Sequence, residues 1–217
     1  MPKRIPQQVV FDLDGVIARH DTMSELIRRR LRSRPGRILQ AIVPAIAWLV
    51  LGGIPAMQIR MSRAIGTIAL SGIDGDDYTA LATALGAELG KSPMWVLEPG
   101  VAAAQQHLSA GDDVIVTTGT EEILSRAFLD AAGLADAKLI ATRLRFDGAK
   151  VRYVHHNLGR HKVGGLVGRR IDLFYTDSSL DLPVARLADR TVLINPAPRL
   201  ELHFRARIQN LTVERWN

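Results

Sequence analysis

The clearest structural signal in the chain is the segment Gln8-Val9-Val10-Phe11-Asp12-Leu13-Asp14-Gly15-Val16. Its apolar run, residues 9–11, predicts a short buried strand of a parallel sheet. The run ends at two aspartates one residue apart, and ligands of open α/β sheets bind just beyond the carboxyl ends of the strands. Gly15 permits the turn that lets both side chains face one site. The structural alternative is an Asx-type turn that merely caps the strand.

Asp12 and Asp14 also predict a metal site. Two carboxylates this close repel each other unless a cation neutralises them. A hard cation that prefers oxygen ligands, such as Mg²⁺, meets this requirement. The chain contains no cysteine, so thiolate metal sites, disulfides and cysteine nucleophiles are excluded.

The composition is that of an ordered globular protein. Of the 217 residues, 47% are hydrophobic and 23% are charged, which excludes a disordered chain. The formal net charge of +6 indicates an anionic partner: nucleic acid, a membrane surface or a phosphorylated substrate. Because the chain opens without a secretory signal and lacks cysteine, we expect it to be cytoplasmic.

A basic segment and an apolar segment follow each other over residues 28–54. Six arginines lie within ten residues without an acid among them: Arg28, Arg29, Arg30, Arg32, Arg34 and Arg37. The apolar run 38–51 is shorter than the roughly 20 residues of a spanning helix, and Pro44 interrupts it. We expect a helix or hairpin embedded in one leaflet, with a buried helix as the alternative. Basic residues beside an apolar stretch favour the anionic cytoplasmic leaflet, whereas the absence of aromatics from the cluster argues against nucleic acid.

The chain divides into a helical part and an alternating part. Helical spacing predicts helices at 23–31, 57–70 and 76–89, and no strand is predicted between residues 21 and 91. Beyond residue 99, strands are predicted at 114–116, 138–142, 173–175 and 192–194, with a hairpin at 144–154 and helices at 100–108, 121–132, 160–167 and from about 199. This alternation predicts an α/β protein with a doubly wound, Rossmann-like parallel sheet. We expect residues 1–20 and 97–217 to form the core and residues 21–96 an inserted all-helical cap.

Polar residues end three of the predicted strands. They are Asp12 and Asp14, then Thr117-Thr118-Gly119, then Asp177 with Asp181, and Lys162 lies between the last two groups. Each has an ordinary structural explanation, such as a helix cap or a solvated lysine. Their order, each at a strand end or a helix start, instead favours one shared site.

In this order the residues resemble the haloacid dehalogenase superfamily, in its phosphatase branch. Its first motif matches 12–16, its second Thr117, its third Lys162 and its fourth 177–181. Residues 11–15 with Asp21-Thr22, and 175–183, are similar to the phosphoserine-phosphatase-like subgroup, although Val16 stands where threonine is more usual. The basic and apolar segments are similar to phosphatidylglycerophosphatase C and its bacterial relatives.

The resemblance implies a mechanism through an aspartyl phosphate. Asp12 would be the nucleophile, and Asp14 would act as general acid and then as general base. Mg²⁺ would be held by Asp12, the backbone carbonyl of Asp14 and Asp177, with Asp181 in support. Phosphoryl oxygens would be held by Thr117, by the amides of Thr118 and Gly119 where a helix begins, and by Lys162.

We therefore expect a Mg²⁺-dependent phosphatase acting on a lipid phosphate such as phosphatidylglycerophosphate, at the cytoplasmic face of the inner membrane. One alternative is a soluble phosphoserine-type phosphatase, in which Asp21 would meet the substrate amine where the resembling proteins usually carry glutamate. Another is a non-catalytic module that uses its basic segment to bind membrane or nucleic acid. Because none of the motif residues is missing, the enzyme is favoured.

Overall fold

The computed structural model describes residues 5–51 and 54–216. Residues 52 and 53 of the predicted segment 28–54, and residues 1–4 and 217 of the predicted core, lie outside the described residues. Seven described strands form one sheet: β1 (Gln8–Phe11), β2 (Asp113–Glu121), β3 (Lys138–Asp147), β4 (Lys150–His155), β5 (Leu173–Thr176), β6 (Thr191–Ile194) and β7 (Leu211–Glu214). Their order is β4-β3-β2-β1-β5-β6-β7. All neighbours are parallel except β3 and β4.

The helices of the described chain connect and cover these strands. They are α1 (Thr22–Arg32), α2 (Gly36–Leu51), α3 (Pro55–Leu70), α4 (Gly75–Gly90), α5 (Glu98–Ser109), α6 (Glu122–Ala131), α7 (His161–Gly164), α8 (Leu182–Ala185) and α9 (Pro198–Arg205), with a 3₁₀ turn at Ser179–Asp181. One apolar cluster includes Phe11 and Val116, and a second includes Val10 and Ile115. Successive side chains of β1 and β2 thus enter separate clusters, as expected for strands buried on both faces. The predicted doubly wound α/β fold is confirmed.

Helix α4 packs directly on α6. A Cβ added at Gly86 would lie 2.5 Å from the carbonyl oxygen of Leu124, so the two helix backbones approach closely at this point. The hydroxyl of Tyr78 also donates a 2.7 Å hydrogen bond to the buried Glu121. The segment predicted as a cap is therefore tied to the rest of the molecule at α4, while its boundaries at 21 and 96 remain a prediction.

Three elements differ from their predicted bounds. β3 runs without a break through the predicted strand 138–142 and the first arm of the predicted hairpin, and β7 was not predicted. β2 extends to Glu121, well beyond the predicted strand 114–116, and the helix predicted at 121–132 begins at Glu122. Thr118 and Gly119 therefore lie in the strand and not where the helix begins. The physical reason is the side chain of Glu121, which accepts hydrogen bonds from the amides of Ile123 and Leu124 and thereby caps α6.

Pro44 lies inside α2 and does not interrupt it, which corrects the sequence-based expectation. Within the described residues, no helix has both the length and the apolar character needed to cross a membrane.

Candidate active site

The carboxyl ends of the central strands meet at one edge of the sheet. Phe11 of β1 lies opposite Val116 of β2 and Tyr175 of β5. The residues that follow these three therefore emerge side by side. The predicted convergence of Asp12, the Thr117 segment and the Asp177 segment follows directly from this register.

Asp12 forms a buried charge cluster with Lys162 and Asp181. The ammonium of Lys162, in α7, lies 2.9 Å from Oδ1 of Asp12 and 2.9 Å from each oxygen of Asp181. Thr176 donates a further 2.9 Å hydrogen bond to Asp181. Burial favours the neutral amine, but the attraction of Asp12 and Asp181 raises the pKa of Lys162 above its usual value. Lys162 is therefore a fixed positive charge beside Asp12.

Asp14 is held by three strong hydrogen bonds. Its Oδ1 accepts from the amide and the hydroxyl of Thr22, both at 2.9 Å, and its Oδ2 accepts from the hydroxyl of Thr120 at 2.8 Å. Burial, and next the charge of Asp21, raise the pKa of Asp14 to about 6, although the hydrogen bonds oppose the rise. A carboxyl that titrates near neutrality can both donate and accept a proton.

Gly15 leaves room for Asp177. Its φ of +79° is in the left-handed region, and a Cβ at this position would lie 1.9 Å from Oδ2 of Asp177. Glycine is therefore required for the backbone conformation and for the close approach of the carboxylate. Burial, followed by the charges of Asp181 and Asp14, raises the pKa of Asp177 to about 7.

The side chains at this edge fit a hard divalent cation. Asp12, Asp14, Asp177 and Asp181 bring four carboxylates to this edge, beside the single charge of Lys162. Burial is the main cause of the raised pKa values of Asp12, Asp14 and Asp177, and the charges of neighbouring carboxylates add to it. Within the described residues, no three His, Asp or Glu side chains form a metal cage by themselves. Mg²⁺ commonly uses only one or two carboxylates and completes its shell with other oxygens, including water. The oxygen donors present are consistent with that mode of binding.

The predicted phosphate-binding residues divide into two pairs. Gly119 and Lys162 line the cavity beside Asp12, as does Thr120, which was not predicted. Thr117 and Thr118 are fully buried behind that wall. The hydroxyl of Thr117 accepts a 3.0 Å hydrogen bond from the amide group of Asn157.

Asn157 was not predicted from the sequence. Its amide group donates to the Thr117 hydroxyl and to the carbonyls of Thr118 and Ile140, and it is fully buried. These hydrogen bonds hold residues 117 and 118 of β2 next to Ile140 of β3. A single asparagine in a loop has no sequence signal that separates this role from surface exposure.

The cavity above these residues has a volume of about 720 Å³. Its floor carries Asp12, Asp14, Lys162 and Asp177. Its outer wall comes from α1, α2 and α3 and from the segment after β4. The wall includes the apolar side chains of Met23, Ile27, Leu31, Trp48, Ile65 and Leu158, and also the polar side chains of Ser24, Arg28, Gln58 and Ser62. The cavity therefore combines a charged floor with a wall of mixed apolar and polar side chains.

Asp21, predicted to contact the substrate, lies at the exposed part of this cavity. Its side chain caps α1 by accepting a 2.6 Å hydrogen bond from the amide of Ser24. The structure thus assigns Asp21 a helix-capping contact, and its role toward a substrate remains a prediction.

Solved structures share this fold over almost the whole chain. A Bordetella pertussis Tohama I protein of unknown function is 20% identical, with 97% of this chain and 98% of that chain covered and a TM-score of 0.70. A substrate-bound phosphoserine phosphatase is 14% identical, with 96% and 93% covered and a TM-score of 0.62. Cytosolic 5'-nucleotidase IIIB bound to cytidine is 13% identical, with 97% and 81% covered and a TM-score of 0.69.

No curated protein matches the chain. The family model of the haloacid dehalogenase-like hydrolases matches residues 9–186, from the second residue of β1 to beyond Asp181. This range contains every residue of the charge cluster described above. The chain therefore belongs to the haloacid dehalogenase-like hydrolases, as the order of its motifs predicted.

Proposed function

We propose that this protein is a Mg²⁺-dependent phosphatase that hydrolyses phosphate monoesters through an aspartyl phosphate on Asp12. One observation carries the proposal: Asp12 lies 2.9 Å from the ammonium of Lys162, and Asp14, held by Thr22 and Thr120, lines the same cavity. A nucleophile, a fixed positive charge and a titratable acid are the groups that phosphoryl transfer to a carboxylate needs.

The reaction proceeds in two steps. An oxygen of Asp12 attacks phosphorus, the bond from phosphorus to the ester oxygen breaks, and Asp14 gives its proton to the departing alcohol. Asp14 then takes a proton from water, whose oxygen attacks phosphorus, and the bond to Asp12 breaks to release inorganic phosphate. The pKa of Asp14, raised to about 6, suits a group that donates in one step and accepts in the other.

Lys162 and the carboxylates organise the charge in both steps. Lys162 balances negative charge at Asp12 and on the phosphoryl oxygens, and Asp181 keeps the lysine in place. We assign Asp12, the backbone carbonyl of Asp14 and Asp177 to Mg²⁺, with Asp181 in support. The bound metal would neutralise charge on the phosphoryl group.

For the substrate we propose a lipid phosphate, with phosphatidylglycerophosphate as the example that the resemblance to phosphatidylglycerophosphatase C suggests. The lining of the cavity supports this choice, because six apolar side chains stand in the wall beside the charged floor and could contact the apolar body of such a substrate. Trp48 supports it as well, since this cavity residue belongs to the apolar helix α2.

We further propose that α2 docks on the cytoplasmic face of the inner membrane. Four of its apolar side chains have exposed fractions above 70%: Leu39, Val43, Leu49 and Val50. A continuous exposed apolar face of this kind marks a surface for membrane or partner contact. The arginines that precede α2 favour an anionic membrane as the partner.

A soluble phosphoserine-type ester is the second candidate. The similarity to a substrate-bound phosphoserine phosphatase favours it, and Asp21 lies at the cavity as that reading requires. Against it, the carboxylate of Asp21 is engaged by the amide of Ser24.

The test is phosphate release from a panel that contains phosphatidylglycerophosphate in mixed micelles, phosphoserine and simple alkyl phosphates. We expect the lipid to be hydrolysed fastest, the activity to disappear with a chelator, and Mg²⁺ to restore it. Asp12→Asn controls for contaminating phosphatases. Faster hydrolysis of phosphoserine would select the second candidate, and no hydrolysis of any ester would refute the phosphatase.

A further inference from the structure

The arginines of residues 28–37 are not equivalent. Arg28 and Arg29 both donate to the buried Glu25, at 2.6 and 2.7 Å. Arg29 also forms a two-point ion pair with Glu88 of α4, at 2.6 and 2.7 Å. The charges of these two arginines are therefore neutralised within the protein.

Arg30, Arg34 and Arg37 form a second group, which we name the arginine triad. Guanidinium nitrogens of Arg37 and Arg34 lie 2.6 and 2.8 Å from the point where Gly72 would carry a Cβ. Gly72 has a φ of +73° and lies in the turn between α3 and α4. Two like charges thus meet over a glycine whose missing side chain leaves space for them.

No carboxylate of the described chain forms an ion pair with the triad. The ion pairs and hydrogen bonds there include none from Arg30 or Arg34 to a carboxylate, and Arg37 donates to the carbonyls of Ile68 and Ser71. Nε and Nη2 of Arg30 are buried without a hydrogen-bond partner. Buried donors in native proteins nearly always have one.

The electrostatics of Arg30 agree with a missing anion. Burial, and next the charges of the other two members of the triad, lower the pKa of Arg30, and Asp77 is the acid that opposes this effect. An anion held between the three guanidinium groups would satisfy the free donors and offset the repulsion. The fork of a guanidinium matches the oxygens of a phosphate group.

We propose that the arginine triad binds the phosphate group of an anionic phospholipid, at a site separate from the catalytic cavity. None of the three arginines lines that cavity. α2 begins at Gly36, next to the triad, and its exposed side chains Leu39 and Val43 follow within two turns. A lipid headgroup on the triad could therefore place its acyl chains along the apolar face of α2. The inference rests on the proposed membrane contact and not on the chemistry at Asp12.

The test compares two double variants that remove the same charge. Arg30→Gln/Arg34→Gln alters the triad, and Arg186→Gln/Arg199→Gln is the matched control, because both control residues are exposed and none of the described ion pairs includes them. Binding is measured by cosedimentation with vesicles of phosphatidylglycerol and phosphatidylcholine, and with pure phosphatidylcholine. Each basic residue at an anionic surface is worth about 1 kcal/mol, so we expect the triad variant to bind the anionic vesicles at least roughly tenfold more weakly.

The control variant should bind nearly as the wild type does. An equal loss in both variants would show that only net charge matters, and a wild type that stays in the supernatant would also overturn the proposal. A wild type that does not bind vesicles can still be tested with inorganic phosphate. If it binds phosphate and the Arg30→Gln/Arg34→Gln variant does not, the site takes a free anion and no lipid.

Two further measurements separate this inference from the proposed function. Thermal unfolding in chloride buffer should show that the triad variant is folded and no less stable, because a repulsive contact has been removed. Hydrolysis of soluble p-nitrophenyl phosphate should be unchanged in that variant. If the wild type hydrolyses no ester at all, the phosphatase proposal fails, yet vesicle binding still decides the role of the triad.

Discussion

Asp14 is positioned by two threonines from distant parts of the chain. Thr22 begins α1 and Thr120 lies near the end of β2, and their hydroxyls approach each other to 3.1 Å. Together they engage both oxygens of the carboxyl group. Threonine is common in strands and at helix starts, so the sequence predicts Asp14 as the acid but not the groups that hold it.

Replacing Thr120 by valine should weaken Asp14 as a general acid. The loss of one hydrogen bond to a charged group costs about 1.5–3 kcal/mol, so kcat on an alkyl phosphate should fall roughly tenfold or more. On p-nitrophenyl phosphate the fall should be much smaller, because nitrophenolate leaves without a proton. Thr120→Ser, which keeps the hydroxyl, should restore the rate. An equal loss on both substrates would assign Thr120 to the fold and not to Asp14.

His156 should make stability depend on pH. It lines the cavity beside Tyr153, with their ring centres 5.0 Å apart, and burial followed by the charge of Arg63 lowers the pKa of His156 to about 4. Between its usual value of 6.5 and about 4, the unfolded chain binds a proton that the folded chain does not. The contribution of the buried, neutral His156 to the free energy of unfolding is therefore lost as the pH falls from 6.5 to about 4.

The measurement is urea unfolding of the wild type and of His156→Gln, above pH 6.5 and near pH 4. On acidification the wild type should lose, relative to the variant, on the order of 2 kcal/mol in the free energy of unfolding. Using the difference between the two proteins cancels the titration of the aspartates. A difference that stays constant with pH would contradict the buried, neutral histidine.

For the helices, local sequence signals predict that a helix is present better than they predict where it begins, breaks or ends. A proline inside a helix costs about 3 kcal/mol, which is why the sequence predicts a break at Pro44. The structure continues α2 through it, and α2 packs along α3. Packing of this kind provides most of the stability of helices in proteins and overrides local preference.

The close packing of α4 on α6 gives a second test at this scale. Gly86→Ala should raise intrinsic helix stability by about 1 kcal/mol. The new Cβ would, however, meet the Leu124 carbonyl oxygen at 2.5 Å and the Ala127 Cβ at 2.7 Å. We expect a net loss of about 1–3 kcal/mol in the free energy of unfolding.

Gly36→Ala is the matched control for this substitution, since nothing lies within 4 Å of its added Cβ at the start of α2. Its free energy of unfolding should be unchanged or higher. If Gly86→Ala were as stable as the wild type, the two helices would lie farther apart than the structure has them.

For the whole molecule, the site was predictable because a parallel sheet brings the ends of its strands together. Recognisable local patterns mark Asp12, Lys162 and Asp177 in the sequence. The register of β1 with β2 and β5 then brings the ends of these strands side by side. Partners that come from far along the chain were not predictable. The sequence presents the arginines of 28–37 as one cluster, and only the fold brings Glu88 to Arg29 and Gly72 to Arg37.

The aspartyl phosphate is the central intermediate of the proposed mechanism, and acid quenching during turnover tests for it directly. Acid stops the reaction and preserves an acyl phosphate long enough for peptide mass analysis. We predict one phosphoryl group on the peptide that contains Gln8 to Val16, located at Asp12, and none in Asp12→Asn, which should also be inactive. A phosphoryl group on another residue, or continued turnover by Asp12→Asn, would contradict the account.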